Sequence, residues 1–188
     1  MTAAIIEGCD DLVEMIGTML EIAQADSGVV ELHLVPLDLL EIVEEAADLF
    51  TPMAEDKGID IRLIKSFRPA MVKGDRQKIQ RVAANLLDNA IKYTPGSGVI
   101  SVTVKIDAGH ASVEISDTGI GINENDLPHD FERFYRCDKS RSTSGSGLGL
   151  SLALAVIRAH HGGDIRAQST KHGTTFSFFL PVPPSSQH

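Results

Sequence analysis

Two neighbouring stretches decide the fold: residues 76–93, RQKIQRVAANLLDNAIKY, and residues 100–117, ISVTVKIDAGHASVEISD. The first predicts an amphipathic helix, because its apolar residues recur at three- and four-residue spacing and Asp75 suits the N-cap position. The second predicts a β-hairpin, because apolar residues alternate on both sides of a turn at residues 107–109. A helix that leads into a hairpin indicates an α+β protein.

The segments on either side complete this pattern. Residues 39–57 have helical spacing and end at Gly58, although Pro52 predicts a kink or an early end. Residues 59–63 alternate as a strand. Another helix is expected at residues 148–161, followed by strands near residue 165 and at residues 174–180. The predicted fold is a two-layer α/β sandwich, with one mixed sheet covered on one face by helices.

A separate helix precedes this body, at residues 9–25. Its apolar stripe has helical spacing and consists of Leu12, Ile16, Met19, Leu20 and Ala23. A lone helix cannot bury such a stripe, so we expect it to pack on the body or on another chain. We divide the chain into a head, a connector, a body and a tail, at residues 1–28, 29–36, 37–182 and 183–188.

The composition is that of a globular protein and disfavours several functions. Hydrophobic residues make up 43% and charged residues 23% of the 188 residues, and no run approaches the ~18 apolar residues of a membrane helix. A net charge of −9 argues against broad nucleic-acid binding. Cys9 and Cys137 lie far apart without a CxxC pair, which disfavours a disulfide framework or a zinc site. No secretory leader is visible, and a reduced cytosolic setting fits.

Three polar residues of the helix at residues 76–93 are candidates for binding an anionic ligand and its metal ion. Asn85, Asn89 and Lys92 lie within about 60° of one another around the helix axis, at the border of the apolar stripe. Carboxamide oxygens one turn apart suit a hard cation such as Mg²⁺. Taken alone, the same residues also fit an ordinary polar helix flank.

A carboxylate ends the second strand of the hairpin. Counting by two from Val113 and Ile115 places Asp117 on the inward face, where a carboxylate needs hydrogen-bond donors. Gly119 and Gly121 follow it and let another group approach the backbone closely. A simple Asp-Thr-Gly turn is an alternative, although it does not need the second glycine.

Glycines and cations mark a third region. Gly145, Gly147 and Gly149 open the helix expected at residues 148–161, and free amides at a helix N-terminus attract phosphate. Their spacing is neither that of a Walker loop nor that of a dinucleotide-binding fingerprint. The polar loop at residues 122–146 is long enough to indicate a functional role. The loop contains four cationic residues: Arg133, Arg136, Lys139 and Arg141. They indicate either a site for an anionic ligand or an ordinary charged loop exposed to solvent.

These features occur in the order found in sensor histidine kinases. Five stretches resemble the family's N, G1, F, G2 and last glycine boxes: residues 85–95 (NLLDNAIKYTP), 117–121 (DTGIG), 131–136 (FERFYR), 145–150 (GSGLGL) and 173–176 (GTTF). Five motifs in this order make the resemblance specific, and together they cover about residues 37–181.

The resemblance implies a Bergerat-type ATP-binding domain that uses ATP and Mg²⁺. Asp117 would accept a hydrogen bond from the adenine amino group. Asn85 and Asn89 would hold Mg²⁺ on the phosphates. Lys92 would reach a phosphate, and Tyr93 would line the base or the sugar.

The resemblance also implies a mobile lid at residues 122–146, with Arg136 as its phosphate contact. Thr175 would lie beneath the adenine. The complete set of nucleotide-binding residues implied is Asn85, Asn89, Lys92, Tyr93, Asp117, Gly119, Gly121, Arg136, Gly145, Gly147, Leu148, Gly149 and Thr175.

The head resembles the end of the second helix of the family's dimerisation and phosphotransfer hairpin. The acceptor motif, a histidine followed by an acidic residue on the first hairpin helix, is absent. Among seven histidines only His129 precedes an acidic residue, and it lies beside the F box. We therefore expect no catalytic residue in this chain and no autophosphorylation. His160 and His161 are interpreted as a favourable charge at a helix C-terminus rather than as metal ligands.

The function implied is that of the ATP-binding catalytic part of a two-component sensor histidine kinase. It would deliver the γ-phosphate of ATP to a histidine on a hairpin, for relay to an aspartate of a response regulator. The resemblance implies a response regulator as partner and a homodimer in the parent protein. It also implies a cytoplasmic location, including the cytoplasmic part of a membrane-anchored sensor, with no nucleic-acid partner and no membrane insertion by this segment.

Other functions are compatible with the same fold. An ATP-hydrolysing relative would carry a glutamate as general base four residues before the metal-binding asparagine. This chain has Asn85 there, and a carboxamide cannot accept a proton at neutral pH. A non-catalytic nucleotide-binding or partner-binding module would not need Asn89 and Asp117 to be intact. Kinases of this fold that phosphorylate serine on a partner are a minor third alternative.

Overall fold

A computed structural model describes residues 2–29, 31–66, 68–107, 109–137 and 146–183. The helices are α1 (Thr2–Asp26), α2 (Leu39–Asp56), α3 (Arg76–Tyr93) and α4 (Gly149–Ala159), with a short 3₁₀ turn at Leu127–His129. The strands are β1 (Val35–Asp38), β2 (Asp60–Ile64), β3 (Met71–Gly74), β4 (Val99–Asp107), β5 (His110–Asp117), β6 (Asp164–Thr170) and β7 (Gly173–Pro181).

The central sheet has five strands in the order β2-β4-β5-β7-β6. β2 is parallel to β4 and the other neighbours are antiparallel, so the sheet is mixed, as predicted. Residues such as Val102, Val113 and Phe178 are fully buried beneath the helices. Residues between them along the strands, such as Ser112 and Ser177, remain partly exposed. The helices therefore cover one face, which confirms the predicted two-layer sandwich.

Helix α3 forms at Arg76–Tyr93, as its periodicity predicted, and lies between α2 and α4 in the helical layer. The Asp75 side chain accepts a hydrogen bond from the backbone N–H of Lys78, so it is the N-cap. Ile79 and Leu86 are completely buried against the sheet. Because both the cap and the apolar stripe fix the rotation of α3, its polar edge has one defined direction.

Two features of the body differ from expectation. β1 and β3 pair as a second, two-stranded antiparallel sheet that was not predicted, because each has only four residues and β1 contains Pro36. The early end expected at Pro52 is wrong, since α2 continues to Asp56. The proline leaves only the carbonyl of Asp48 without its helical partner, and that residue is exposed to water.

Helix α1 packs on the body through a face other than the predicted stripe. Ile22 is 1% exposed, and Met15 and Ala25 pack against the core. Leu12 and Ile16 of the predicted stripe are 58% and 65% exposed. The body therefore does not cover that stripe, and its packing on another chain remains a prediction. No helix among the described residues is long and apolar enough to cross a membrane.

Candidate functional site

A cavity of about 510 Å³ opens between α3, the end of β5 and the start of α4. Ten of the thirteen residues expected at a nucleotide site line it; those not among the lining residues are Gly119, Gly145 and Thr175. The ten are Asn85, Asn89, Lys92, Tyr93, Asp117, Gly121, Arg136, Gly147, Leu148 and Gly149. Gly145 lies outside the described residues, as do Lys139 and Arg141.

The polar edge of α3 forms one wall of the cavity. The Asn85 amide donates to the carbonyl of Gly149 at 3.2 Å, which joins α3 to the start of α4. Lys92 pairs with Asp88, one turn earlier, at 2.6 Å. Arg81 and Asp88 extend the edge at the same helical spacing, and sequence reasoning missed both. Counting four residues back from Asn85 would have found Arg81.

Asp117 is the buried carboxylate of the cavity, as the alternation of β5 predicted. It is 7% exposed, and its Oδ1 accepts hydrogen bonds from the backbone N–H groups of Gly119 at 2.8 Å and Thr174 at 3.2 Å. Neither of these bonds uses Oδ2. Burial raises the pKa of Asp117 above its usual value, and the two N–H groups oppose that rise. The site therefore presents a held carboxylate that can only accept hydrogen bonds when ionised.

The two glycines after Asp117 are required by close packing. A Cβ on Gly119 would lie 2.5 Å from the Tyr93 carbonyl oxygen. A Cβ on Gly121 would lie 1.8 Å from the carbonyl oxygen of Thr170, and φ is +67° there. Gly119 supports Asp117 through its N–H rather than lining the cavity. Gly119 thus serves the geometry around the carboxylate, whereas Gly121 allows the chain to approach Thr170 of β6.

The expected position of Thr175 in the cavity is wrong. Its hydroxyl donates to the Ser116 hydroxyl at 2.9 Å, on the face of the sheet opposite to Asp117. Thr174 is buried, lines the cavity and donates its N–H to Asp117. Because side chains of a strand alternate, a shift of one residue moves a side chain to the other face.

Two arginines of the segment before the glycine-rich region lie in different places. Arg136 lines the cavity, whereas Arg133 pairs with Asp26 of α1. Phe131 packs edge-to-face on Phe176 of β7, with ring centroids 6.2 Å apart. This aromatic contact fixes the base of the expected lid on the sheet.

A second carboxyl of the cavity wall is that of Asp130, which the sequence analysis did not select as a site residue. Its Oδ2 is buried and has no hydrogen-bond partner, alone in this respect among the described side chains. Burial and the nearby Asp126 carboxylate raise the pKa of Asp130 to about 6. Asp126 itself accepts a hydrogen bond from the Tyr135 hydroxyl at 2.6 Å, which lowers the pKa of Asp126 and raises that of Tyr135 to about 12.

His160 does not provide the charge expected at the C-terminus of α4. It is 4% exposed, its Nδ1 contacts the Val156 carbonyl at 2.7 Å, and its Nε2 accepts the N–H of Asp75 at 3.0 Å. An Nε2 that accepts a hydrogen bond belongs to a neutral ring. Burial also lowers the pKa of His160, so the interpretation as a helix-end charge is wrong.

Comparison with known proteins identifies this arrangement. Residues 74–184 match the family described as histidine kinase-, DNA gyrase B-, and HSP90-like ATPases. That range is more than half of the chain and contains all the cavity-lining residues except Met15 and Thr18. The chain belongs to this family. The resemblance seen in the sequence is confirmed, and the matched residues form an ATP-binding catalytic domain of the histidine kinase type.

Individual relatives agree with this assignment. The chain is 31% identical over 186 residues to the signal transduction histidine-protein kinase/phosphatase MprB of Mycobacterium ulcerans (strain Agy99), which covers 96% of this chain and 35% of MprB. Full-length ShkA in complex with AMPPNP superposes with a TM-score of 0.82 at 28% identity, over 95% of this chain and 37% of ShkA. The histidine kinase ThkA in complex with the response regulator protein TrrA gives 0.70 at 25% identity, over 95% of this chain and 50% of ThkA. The chain therefore spans about a third of the length of MprB.

Proposed function

We propose that this chain binds ATP with Mg²⁺ and presents the γ-phosphate to a histidine of a phosphotransfer hairpin. Asp117 carries the proposal, because a buried carboxylate already held by Gly119 and Thr174 has an oxygen left to accept from a ligand. The adenine amino group is a donor of the matching kind, and a ring without one would leave the carboxylate unpaired. The polar edge of α3 then faces the phosphates.

The residues along α3 fit a magnesium ion. Asn85 and Asn89 lie one turn apart and both line the cavity. Mg²⁺ prefers oxygen ligands, and at nucleotide sites it takes one or two from the protein and the rest from phosphates and water. When bound, the ion would neutralise charge on the phosphates. The carboxamide oxygens of these two asparagines are the groups proposed to hold it.

The proposed reaction is phosphoryl transfer. An imidazole nitrogen of the acceptor histidine attacks the γ-phosphorus, and the bond to the bridging oxygen breaks. ADP leaves with the electron pair, and the imidazole proton passes to solvent. The proposal assigns the phosphates to Lys92, Arg136 and the backbone amides at residues 147–149, all of which line the cavity. No histidine of this sequence has the acceptor pattern on a hairpin helix, so we expect no autophosphorylation of this chain alone.

The proposal includes two partners. A response regulator would receive the phosphoryl group, by analogy with the complex of ThkA and TrrA. A second copy of the parent protein would cover the exposed stripe of α1, which includes Leu12, Ile16 and Leu20. The domain would act in the cytoplasm, where ATP is available.

The test is calorimetric titration of the chain with ADP, with and without Mg²⁺. In Asp117→Asn, one carboxamide oxygen can still accept from Gly119 and Thr174, but an NH₂ group faces the adenine amino group. We expect the affinity to fall roughly 100-fold, since a hydrogen bond to a charged group contributes about 1.5–3 kcal/mol. Asp107→Asn, at the exposed end of the hairpin, is the matched control and should bind like the wild type.

Two outcomes separate the alternatives. If a folded wild-type chain binds no ADP in either buffer, the proposed function is wrong. If ADP binds but labelled ATP transfers no phosphate to a hairpin supplied in trans, a non-catalytic nucleotide-binding module is favoured.

A further inference from the structure

The charged contacts between helix α1 and helix α3 converge on one glutamate. Glu21 is only 9% exposed, and its two carboxylate oxygens pair with Lys78 and Arg81 of α3. The Arg81 guanidinium also donates to the Thr18 hydroxyl at 3.3 Å. A buried carboxylate with two cationic partners is well compensated, whereas the same carboxylate with one partner is less so. The position of α1 therefore depends on Arg81.

Arg81 also faces the nucleotide cavity. It lies four residues before Asn85 and eight before Asn89, on the polar edge of α3, and it lines the cavity with both of them. Met15 and Thr18 of α1 line the same cavity. The helix is thus part of the wall, and Arg81 both lines the cavity and pairs with Glu21. Its side chain is 43% exposed, so water and a ligand can reach it.

We propose that Arg81 is a nucleotide-binding residue shared between α1 and the phosphates, and that a bound nucleoside triphosphate draws it from Glu21 and loosens α1. This inference rests on the proposed function. Arg81 contacts Glu21 through Nη1 alone, and a phosphate that binds the guanidinium through two parallel N–H groups would compete with this contact. ATP carries more negative charge than ADP and competes more strongly. Glu21 is then left with Lys78 alone.

Lys78 provides a matched control. It pairs with the same glutamate, on the same helix, but it does not line the cavity. Its replacement weakens the attachment of α1 without removing a group that the nucleotide can reach. Replacement of Arg81 removes both the attachment and the competition. The two variants thus separate a purely structural ion pair from a nucleotide-dependent one.

The first measurement is hydrogen–deuterium exchange of residues 15–26, in the free chain and with saturating ADP or a non-hydrolysable ATP analogue plus Mg²⁺. In the wild type the ATP analogue should speed exchange about tenfold, with a smaller effect of ADP. In Lys78→Gln, exchange in the free chain should be faster than in the wild type, and the ATP analogue should still increase it. In Arg81→Gln it should be equally fast with and without nucleotide.

The second measurement is binding affinity. Glu21→Gln should bind the ATP analogue several-fold more tightly, because Arg81 no longer has a carboxylate partner, and its affinity for adenosine should not change. Arg81→Gln should bind the analogue about tenfold more weakly. Unchanged exchange in a wild-type chain that has bound the analogue would overturn the inference and leave the proposed function standing. Absence of ADP binding would overturn both.

Discussion

Asp117 and Asp130 line the same cavity, but they differ in the hydrogen-bond donors that reach their carboxylate oxygens. Asp117 receives two backbone N–H groups at its Oδ1, whereas the Oδ2 of Asp130 is buried without a partner. Burial raises the pKa of both groups, and for Asp130 the Asp126 carboxylate adds to the rise. A buried carboxylate with fixed donors is ready to bind a ligand. A buried carboxyl oxygen without a donor destabilises the folded state, and the destabilisation increases as the group ionises.

The largest effect should come from breaking the support of Asp117. Gly173 has a φ of +142°, and a Cβ there would lie 1.9 Å from the Asp117 carbonyl oxygen. In Gly173→Ala the start of β7 must move and take the Thr174 N–H with it. We expect the free energy of unfolding to fall by roughly 3 kcal/mol, measured by chemical denaturation. ADP binding should be lost as well.

Gly109→Ala is the control for this change. Gly109 also has a positive φ, of +82°, but nothing lies within 4 Å of a Cβ built there. The free energy of unfolding should fall by only about 1 kcal/mol, from backbone strain. Equal losses in the two variants would show that the contact with Asp117 is not what requires glycine at residue 173.

The next effect tests a buried titratable group, His160, whose two ring nitrogens both have hydrogen-bond partners. His160→Leu leaves the N–H of Asp75 without its acceptor, so the free energy of unfolding should fall by about 2 kcal/mol at neutral pH. The pKa of His160 is lowered in the folded chain, whereas the unfolded chain takes up this proton near pH 6.5. Wild-type stability should therefore be complete above about pH 6.5 and decline below it.

The decline below pH 6.5 identifies His160. In His160→Leu this part of the pH dependence of melting should disappear. His161→Leu, at the exposed neighbouring position, should keep it. A decline of the same size in both variants would assign the dependence to other groups.

Ionisation of Asp130 should change the stability with pH in the direction opposite to that of His160. The pKa of Asp130 is about 6 in the folded chain and 3.8 as the ordinary value, so the folded state holds a proton that the unfolded state has lost. Wild-type stability should fall as pH rises from about 4 to about 6. Asp130→Asn removes the charge and should stabilise the chain by about 1 kcal/mol at pH 7.

The melting temperatures of wild type and Asp130→Asn should coincide near pH 4 and separate towards pH 7. Asp107→Asn provides an exposed control that should follow the wild type throughout. A constant difference between wild type and Asp130→Asn at all pH values would mean that ionisation of Asp130 is not the cause.

The same comparison explains which parts of the site could be predicted. Asp117 follows from the alternation of one hairpin, and Asn85, Asn89 and Lys92 follow from the spacing of one helix. Each of these signals lies within a single element. Periodicity placed these residues on one face, and the family resemblance implied their roles in binding ATP and Mg²⁺.

What could not be predicted depends on partners distant in sequence. The role of Asp130 is set by Asp126 and the depth of the cavity wall, and that of His160 by the N–H of Asp75. The docked face of α1 carries the apolar residues Met15, Ile22 and Ala25 together with Glu21, a charged residue that pairs with cations of α3. Burial and pairing of charged residues are properties of the assembled fold, so periodicity does not reveal them.

The smallest effect should come from removing the hydrogen bond between Tyr135 and Asp126. The Tyr135 hydroxyl donates to Asp126 and keeps the pKa of that carboxyl low. Tyr135→Phe removes the donor, and the melting temperature should fall by about 1 to 2 °C at pH 7. Because the pKa of Asp126 is lowered on folding, this contribution is present above about pH 4 and is lost below it. The difference from wild type should therefore vanish at low pH.

This prediction sharpens the contrast within one pair of carboxyls. Ionisation of Asp126 should stabilise the folded chain, because its carboxylate accepts a hydrogen bond from Tyr135. Ionisation of Asp130 should destabilise the folded chain over a similar pH range, because its buried Oδ2 has no donor. Tyr93→Phe, the other tyrosine of the chain, controls for the loss of a hydroxyl. If Tyr135→Phe and Asp130→Asn shifted the pH profile in the same direction, hydrogen-bond donors would not be what distinguishes the carboxyls of this cavity.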